Sequence, residues 1–280
     1  MSPAQVTFFI LGLIVGSFLN VCIYRVPRSL SIVSPPSSCP GCGAPVRPWD
    51  NIPLVSYILL RGKCRNCRGP VSFRYPFVEL LNGVLYWSVV TSFGPGWHVP
   101  LLCALVSSLL VITFIDLDFQ IIPDSITLPG IVTGLLSASF LLPDPFTVSA
   151  ASSIQFAIGG KAGACSLLPA ACYEIVGFMN ALAGLLLGGG MFYLIALLSR
   201  GGMGGGDIKM MAMVGAFMGW KAVLLTTFIG SLSGSLVGVF LMVAKGKGRK
   251  SRIPFGPFLA LGALATLFFG KVILLWYFRH

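Results

Sequence analysis

Apolar runs on the scale of a bilayer crossing, roughly 17 to 25 residues each, recur along this 280-residue chain. Eight are legible, centred in residues 6–24, 76–93, 99–115, 126–142, 175–198, 210–220, 222–244 and 253–276. The sixth is short and flanked by glycines. A chain built this way has to satisfy its backbone inside lipid, and helices do that within a single segment. The composition agrees: 56% of residues are hydrophobic, 10% are charged and the mean hydropathy is +0.90, which excludes a water-soluble domain. The expected fold is an all-α polytopic membrane protein with about eight transmembrane helices.

Orientation follows from the basic residues. The first run carries no Lys or Arg before Arg25, the reverse of a signal peptide's basic start, so it is expected to remain as an anchor with its N-terminus outside. Alternating the spans from there puts residues 25–74, 200–209 and 245–252 on the cytoplasmic side. Those stretches hold 15 of the 19 Lys and Arg residues, as the positive-inside rule requires. The net charge of +11 therefore reads as membrane orientation and contact with anionic lipid. Nothing in the chain resembles a nucleic-acid-binding pattern.

The partition expected is a first transmembrane helix over 1–26, a small cytoplasmic domain over 27–74, and a membrane-embedded domain over 75–280 with an outer loop at 144–174. The cytoplasmic segment contains Cys39-Pro-Gly-Cys42 and Cys64-Arg-Asn-Cys67, a C-x2-C-x21-C-x2-C pattern. Two such pairs on tight turns can place four thiolates around Zn2+. A segment this small buries too little apolar area to fold alone, so the metal would contribute folding free energy. Two disulfides are the alternative, disfavoured in a reducing cytoplasm. Four thiolates leave no open position, which makes the expected zinc structural. Cys22 and Cys103 are expected to pack as small apolar residues, and Cys165 and Cys172 could pair in the outer loop.

Acidic residues are scarce, eight in all, and charges within spans are expensive and usually functional. Asp116 closes the third run and Asp207 opens the sixth, within Gly204-Gly-Gly-Asp-Ile-Lys209. The alternation of spans sets both at the cytoplasmic end of their helices. Gly204, Gly205 and Gly206 would let a substrate strand approach the backbone beside Asp207; the alternative is a flexible turn whose Asp caps a helix. Glu79 and Asn20 are the other polar residues within runs. Glu79 could hold an amine or a cofactor, or be a buried acid paired with an Arg; Asn20 is expected to make an interhelical hydrogen bond.

Elimination narrows the chemistry. The two histidines, His98 and His280, fall at the outer side, so Ser-His, Cys-His and HExxH mechanisms lack a base or ligand. Lys209 could in principle serve a Ser-Lys pair, but no nucleophile motif stands beside it. Two facing carboxylates remain, one taking a proton from water while the other, protonated, polarises a scissile carbonyl. The helix dipoles would favour the anion on Asp207, at an N-terminus, and the shared proton on Asp116, at a C-terminus. Asp118 would face away from Asp116, and Asp124 would cap the fourth span.

These motifs together resemble the type IV prepilin peptidases, polytopic aspartic proteases that share a GxGD motif with archaeal preflagellin peptidases. The resemblance covers nearly the whole chain: Gly16-Ser-Phe-Leu-Asn-Val-Cys-Ile-Tyr-Arg-Val-Pro27, the two cysteine pairs, Arg74-Tyr-Pro-Phe-Val-Glu-Leu80, the 116–124 stretch, and the glycine-rich motif ending at Asp207. It implies that Asp116, seven residues before Pro123, and Asp207 are the catalytic pair. It further implies an enzyme of the bacterial cytoplasmic membrane that cuts prepilins or pseudopilins after the Gly ending a basic leader. Members with the cysteine domain typically also methylate the new N-terminal amine from S-adenosylmethionine. A peptidase without methylation, or a zinc-stabilised transporter or scaffold whose aspartates bind a cation, are the alternatives.

Overall fold

A computed structural model describes residues 2–147, 174–199, 203–245 and 254–278. The described residues are helical with no strand, only isolated two-residue bridges. Five helical stretches are long and apolar enough to cross a membrane: Pro3–Arg28, His98–Phe119, Phe178–Leu198, Gly205–Ala244 and Gly256–Tyr277. The chain forms two compact units, Met1–Thr91 and Ser92–His280.

In the first unit, α1 (Pro3–Arg25) starts with a capping box in which Ser2 and Gln5 satisfy each other's amides, with Pro3 in the first turn. A short 3-10 turn, Val26–Arg28, follows. Helix α3 (Arg74–Phe93) packs on α1 through glycines: a Cβ at Gly12 would meet Gly83 Cα at 2.8 Å, and one at Gly16 would meet Glu79 Cα at 2.7 Å. Such close backbones are how helices associate where lipid gives no hydrophobic drive. Two asparagines tie the seam: Asn82 Nδ2 donates to Gly12 O (2.7 Å), and Asn20 Nδ2 donates to Tyr75 O (3.1 Å). The interhelical bond expected of Asn20 is present.

Between these helices lie the 3-10 turn Pro48–Asn51, the one-turn helix α2 (Val55–Leu59) and two knuckles of matching sequence, Cys39-Pro-Gly-Cys-Gly-Ala-Pro-Val46 and Cys64-Arg-Asn-Cys-Arg-Gly-Pro-Val71. They repeat the same backbone bonds. Cys39 N donates to Ala44 O and Cys64 N to Gly69 O; Val46 N donates to Ser37 O and Val71 N to Gly62 O. The residue after each second cysteine, Gly43 or Arg68, is left-handed, at φ +70° and +58°. Asp50 joins the 3-10 turn to the second knuckle by an ion pair with Arg65 (2.6 Å), which holds its carboxyl below the usual range.

In the second unit, α4 (His98–Phe119) is the most buried of the candidate spans, with 67% of its most apolar stretch buried against 22% for α6 (Phe178–Leu198). Helix α5 (Asp124–Ala138) and α6 flank α7 (Gly205–Lys245), a helical run broken at Gly219, where φ is +79°. The chain doubles back there. Along the first limb, Gly188 of α6 meets Met211 and Gly184 meets Gly215. Along the second, Thr226 hydrogen-bonds Thr266 of α8 (Gly256–Phe278), while Gly230 meets Leu259 and Gly234 meets Phe255. The start of α8 thus lies beside the far part of the second limb. The two limbs correspond to the sixth and seventh apolar runs, and only a glycine accepts the left-handed break without strain. Outward residues of the second limb, such as Leu236, Phe240 and Val243, are exposed apolar side chains suited to lipid.

The feet of the 144–174 segment are joined: Pro143 bridges Ile175, Asp144 N donates to Glu174 O and Val176 N to Leu142 O. The Cys165–Cys172 pairing, Arg200 to Gly202 and most of the basic 245–252 loop lie outside the described residues.

Candidate active site

One end of the second unit gathers the end of α4 and the starts of α5, α7 and α8. Asp116 lies in the last turns of α4, 6% exposed, and Asp207 in the first turn of α7, 8% exposed. Both are buried acids, and Asp116 is near enough for its charge to act on Asp207. The structure therefore brings together the two carboxylates singled out from the sequence, 91 positions apart by residue number.

The local fold explains how each is presented. Asp207 N donates to Gly204 O (3.2 Å) at the entry to α7. Gly206 sits against Ile122, where a Cβ would come within 2.6 Å of Ile122 Cβ, so this glycine lets the start of α7 dock on the 121–123 turn. Helix α4 ends at Gln120 in the left-handed conformation, its amide donating to Asp116 O. Asp118 is exposed on the helix, as its roughly 200° rotation from Asp116 requires.

Two contacts were not legible in the sequence. Gly256 N, at the first residue of α8, donates to Asp116 Oδ2 at 2.9 Å in a buried setting. Lys209 Nζ reaches both carboxylate oxygens of Asp124 at 2.6 Å. The second corrects the capping role expected of Asp124: Pro123 is the N-cap residue of α5, and the Asp124 carboxylate faces Lys209 instead. Lys209 is accordingly engaged in an ion pair, away from any Ser-Lys role.

Glu79 lies in the first unit, buried, where Leu54 N donates to its Oε2 at 2.9 Å. The Arg partner expected as one reading is replaced by a backbone amide. Leu54 is left-handed at φ +59°, so the carboxylate, from α3, fastens a strained turn that lies between the two cysteine knuckles.

The Sγ atoms of Cys39, Cys42, Cys64 and Cys67 all lie within 4.8 Å of one another, and Cys39 Sγ is 3.9 Å from Cys67 Sγ. Zn–S bonds of about 2.3 Å in a tetrahedron require sulfurs about 3.8 Å apart, so the donor set fits the ion. All four are free thiols rather than disulfides. The Ala44 amide, then the Asn66 side chain, draw the Cys42 thiol down to about 6, while Cys42 beside it pushes Cys67 up to about 11, so a thiolate on one sulfur is matched by a proton held on its neighbour.

The Bacterial Peptidase A24 N-terminal domain family matches residues 10–93, and the Type IV leader peptidase family matches residues 103–239. Curated relatives carry the name prepilin leader peptidase/N-methyltransferase. The Aeromonas hydrophila protein is 34% identical over 97% of this chain and 93% of its own length. The Pseudomonas aeruginosa protein is 34% identical over 94% and 90%, and the Neisseria gonorrhoeae protein 37% identical over 90% and 86%. No solved structure matches the chain.

Proposed function

Since the chain belongs to the type IV leader peptidase family, we propose that it is a membrane aspartic endopeptidase. It cuts the basic leader from prepilins or pseudopilins after a Gly, and N-methylates the new terminus from S-adenosylmethionine. The observation that carries the first activity is the approach of buried Asp116 and Asp207 at one end of the second unit. In such a pair one carboxylate takes a proton as water attacks the scissile carbonyl carbon, while the other gives its proton to the carbonyl oxygen. The tetrahedral intermediate then collapses, the amine receiving a proton from the first carboxyl.

The eight-span arrangement, with the N-terminus outside and the cysteine knuckles in the cytoplasm, is part of this reading. Spans are assigned to α1, α3, α4, α5, α6, the two limbs of α7, and α8. Such a path sends α4 inward and α5, the first limb of α7 and α8 outward, so the four helix ends around the aspartates fall on the cytoplasmic side together. A prepilin's apolar stem would lie in the bilayer with its leader in the cytoplasm, bringing the scissile bond to that depth. The cysteine cluster would hold a structural zinc ion, whose contribution is to the folding of residues 27–74.

Methylation is supported by the relatives' shared name, and Glu79, the acid of α3 that reaches the knuckle segment through Leu54, is proposed as the group that could hold the amine or the methyl donor. Purified enzyme in detergent is the test. Asp116→Asn and Asp207→Asn are each expected to abolish cleavage of a prepilin, and retained processing by either variant overturns the dyad. Labelled S-adenosylmethionine is expected to mark the cleaved pilin; no transfer would leave a peptidase alone.

A further inference from the structure

We propose that the backbone amide of Gly256 is the positioning group of the dyad: it keeps Asp116 as the anionic member, the base towards water, and leaves the shared proton on Asp207. This inference rests on the dyad reading above. The helix-end argument from sequence gave the opposite assignment, because it counted only the helix that carries each aspartate. Asp116 does end α4, but its Oδ2 also meets the N-terminus of α8, where Gly256 N donates at 2.9 Å. The first amides of a helix have no partner within the helix and favour an anion in front of them. A donor that stabilises the charged carboxylate more than the neutral acid selects the anion.

Residue identity at position 256 follows from the same contact. A Cβ there would come within 2.7 Å of Asp116 Oδ2 and 3.1 Å of its Cγ, so any side chain pushes the carboxylate off the amide. Among the described residues, the groups around Asp116 can be named element by element. Asp207 of α7 is the titratable group facing it, and α8 presents the Gly256 amide. Asp118 of α4 is turned to the exposed side, and Asp124 of α5 is held by Lys209. The Gly204 amide also faces the Asp207 carboxylate, but the close hydrogen bond, at 2.9 Å, is the one from Gly256 to Asp116.

Chemically, Asp116 then accepts a proton from the attacking water through its remaining oxygen while Oδ2 stays on Gly256. Asp207 donates its proton to the carbonyl oxygen. The base is regenerated when Asp116 protonates the departing amine, and Asp207 recovers its proton as the carbonyl reforms.

The test removes one N–H. Replacing Gly256 by glycolate, an amide-to-ester exchange in the full-length protein, deletes the donor and adds no bulk; Gly256→Pro deletes it with a residue suited to the first helical position. The pH profile of kcat/KM for prepilin cleavage reports the free enzyme's acid and base. The expected result is an acidic limb displaced upwards by about one pH unit in both variants, with kcat reduced roughly tenfold and KM little changed for the glycolate exchange and kcat reduced further for proline, whose ring also displaces the carboxylate. Gly256→Ala, which keeps the N–H and displaces the carboxylate, should lower kcat further. Unfolding temperature in detergent identifies the variants that fold. An unmoved acidic limb in either folded variant overturns the inference while the dyad stands; cleavage by Asp116→Asn or Asp207→Asn removes the dyad itself.

Discussion

Among three aspartates within nine residues, environment separates the roles. Asp116 is buried with its Oδ2 on the start of α8, whereas Asp118 is exposed and Asp124 pairs with Lys209. Asp118→Ala is expected to retain cleavage within about tenfold of wild type. Asp124→Ala breaks an ion pair whose side chains are 55% and 40% exposed, the kind of pair that contributes about 1 kcal/mol or less. Its expected effect is a small fall in unfolding temperature and a partial loss of rate, against complete loss for Asp116→Ala. A prepilin cleavage assay on the three variants in parallel checks the order. Asp116 was legible from the sequence because a charge at the end of an apolar run has few bland uses. Its partner Gly256 was not, since a backbone amide 140 residues away leaves no mark in composition or periodicity. Asp124 was expected to cap rather than to pair, and one of the two readings of Glu79 gave it an Arg, for a related reason: a carboxylate's need for a donor can be read locally, but the donor is chosen by the tertiary fold.

At the level of elements, glycines decide how the second unit packs. Five of the helical stretches that were legible as apolar runs are long and apolar enough to cross a membrane, and the break at Gly219 falls close to the division expected between the sixth and seventh runs, but the reversal there becomes clear only from the contacts on either side of it. The seam between α6 and α7 is a backbone crossing: Gly184 and Gly215 face each other so closely that a Cβ on either would enter the other's peptide. Gly184→Val should therefore destabilise the protein by about 1–3 kcal/mol through overpacking. In detergent the measurable outcome is a lowered unfolding temperature, with KM for prepilin unchanged in the fraction that folds. A normal unfolding temperature would mean that α6 and α7 can separate without cost, contrary to the crossing. Gly189→Ala is the matched control, because a Cβ there would lie at 3.5 Å from Ala212 Cβ, an ordinary contact.

Over the whole molecule, the dyad belongs entirely to the unit Ser92–His280 and the four thiols entirely to Met1–Thr91. The family matches end and resume close to the same place, at 93 and 103. If each unit holds its own fold, loss of the metal should damage one and spare the chemistry of the other. The knuckle segment gathers few apolar residues into a core: Trp49, Ile58, Leu59 and Phe73 are all exposed. Its order then depends on backbone hydrogen bonds and the Asp50–Arg65 and Glu79–Leu54 contacts, and on the proposed ion, whose binding free energy would become folding free energy in a small site of this kind. Cys39→Ser with Cys64→Ser removes one thiolate from each knuckle. Metal analysis of the purified protein should fall from one zinc per chain to none, and trypsin should cut within residues 47–68 at least tenfold faster. Prepilin cleavage should persist within about tenfold of wild type, because neither aspartate nor the Gly256 amide depends on those sulfurs for its contacts. A loss of cleavage as complete as that of Asp207→Asn, in protein whose second unit still unfolds cooperatively, would instead make the cysteine domain an essential part of substrate engagement.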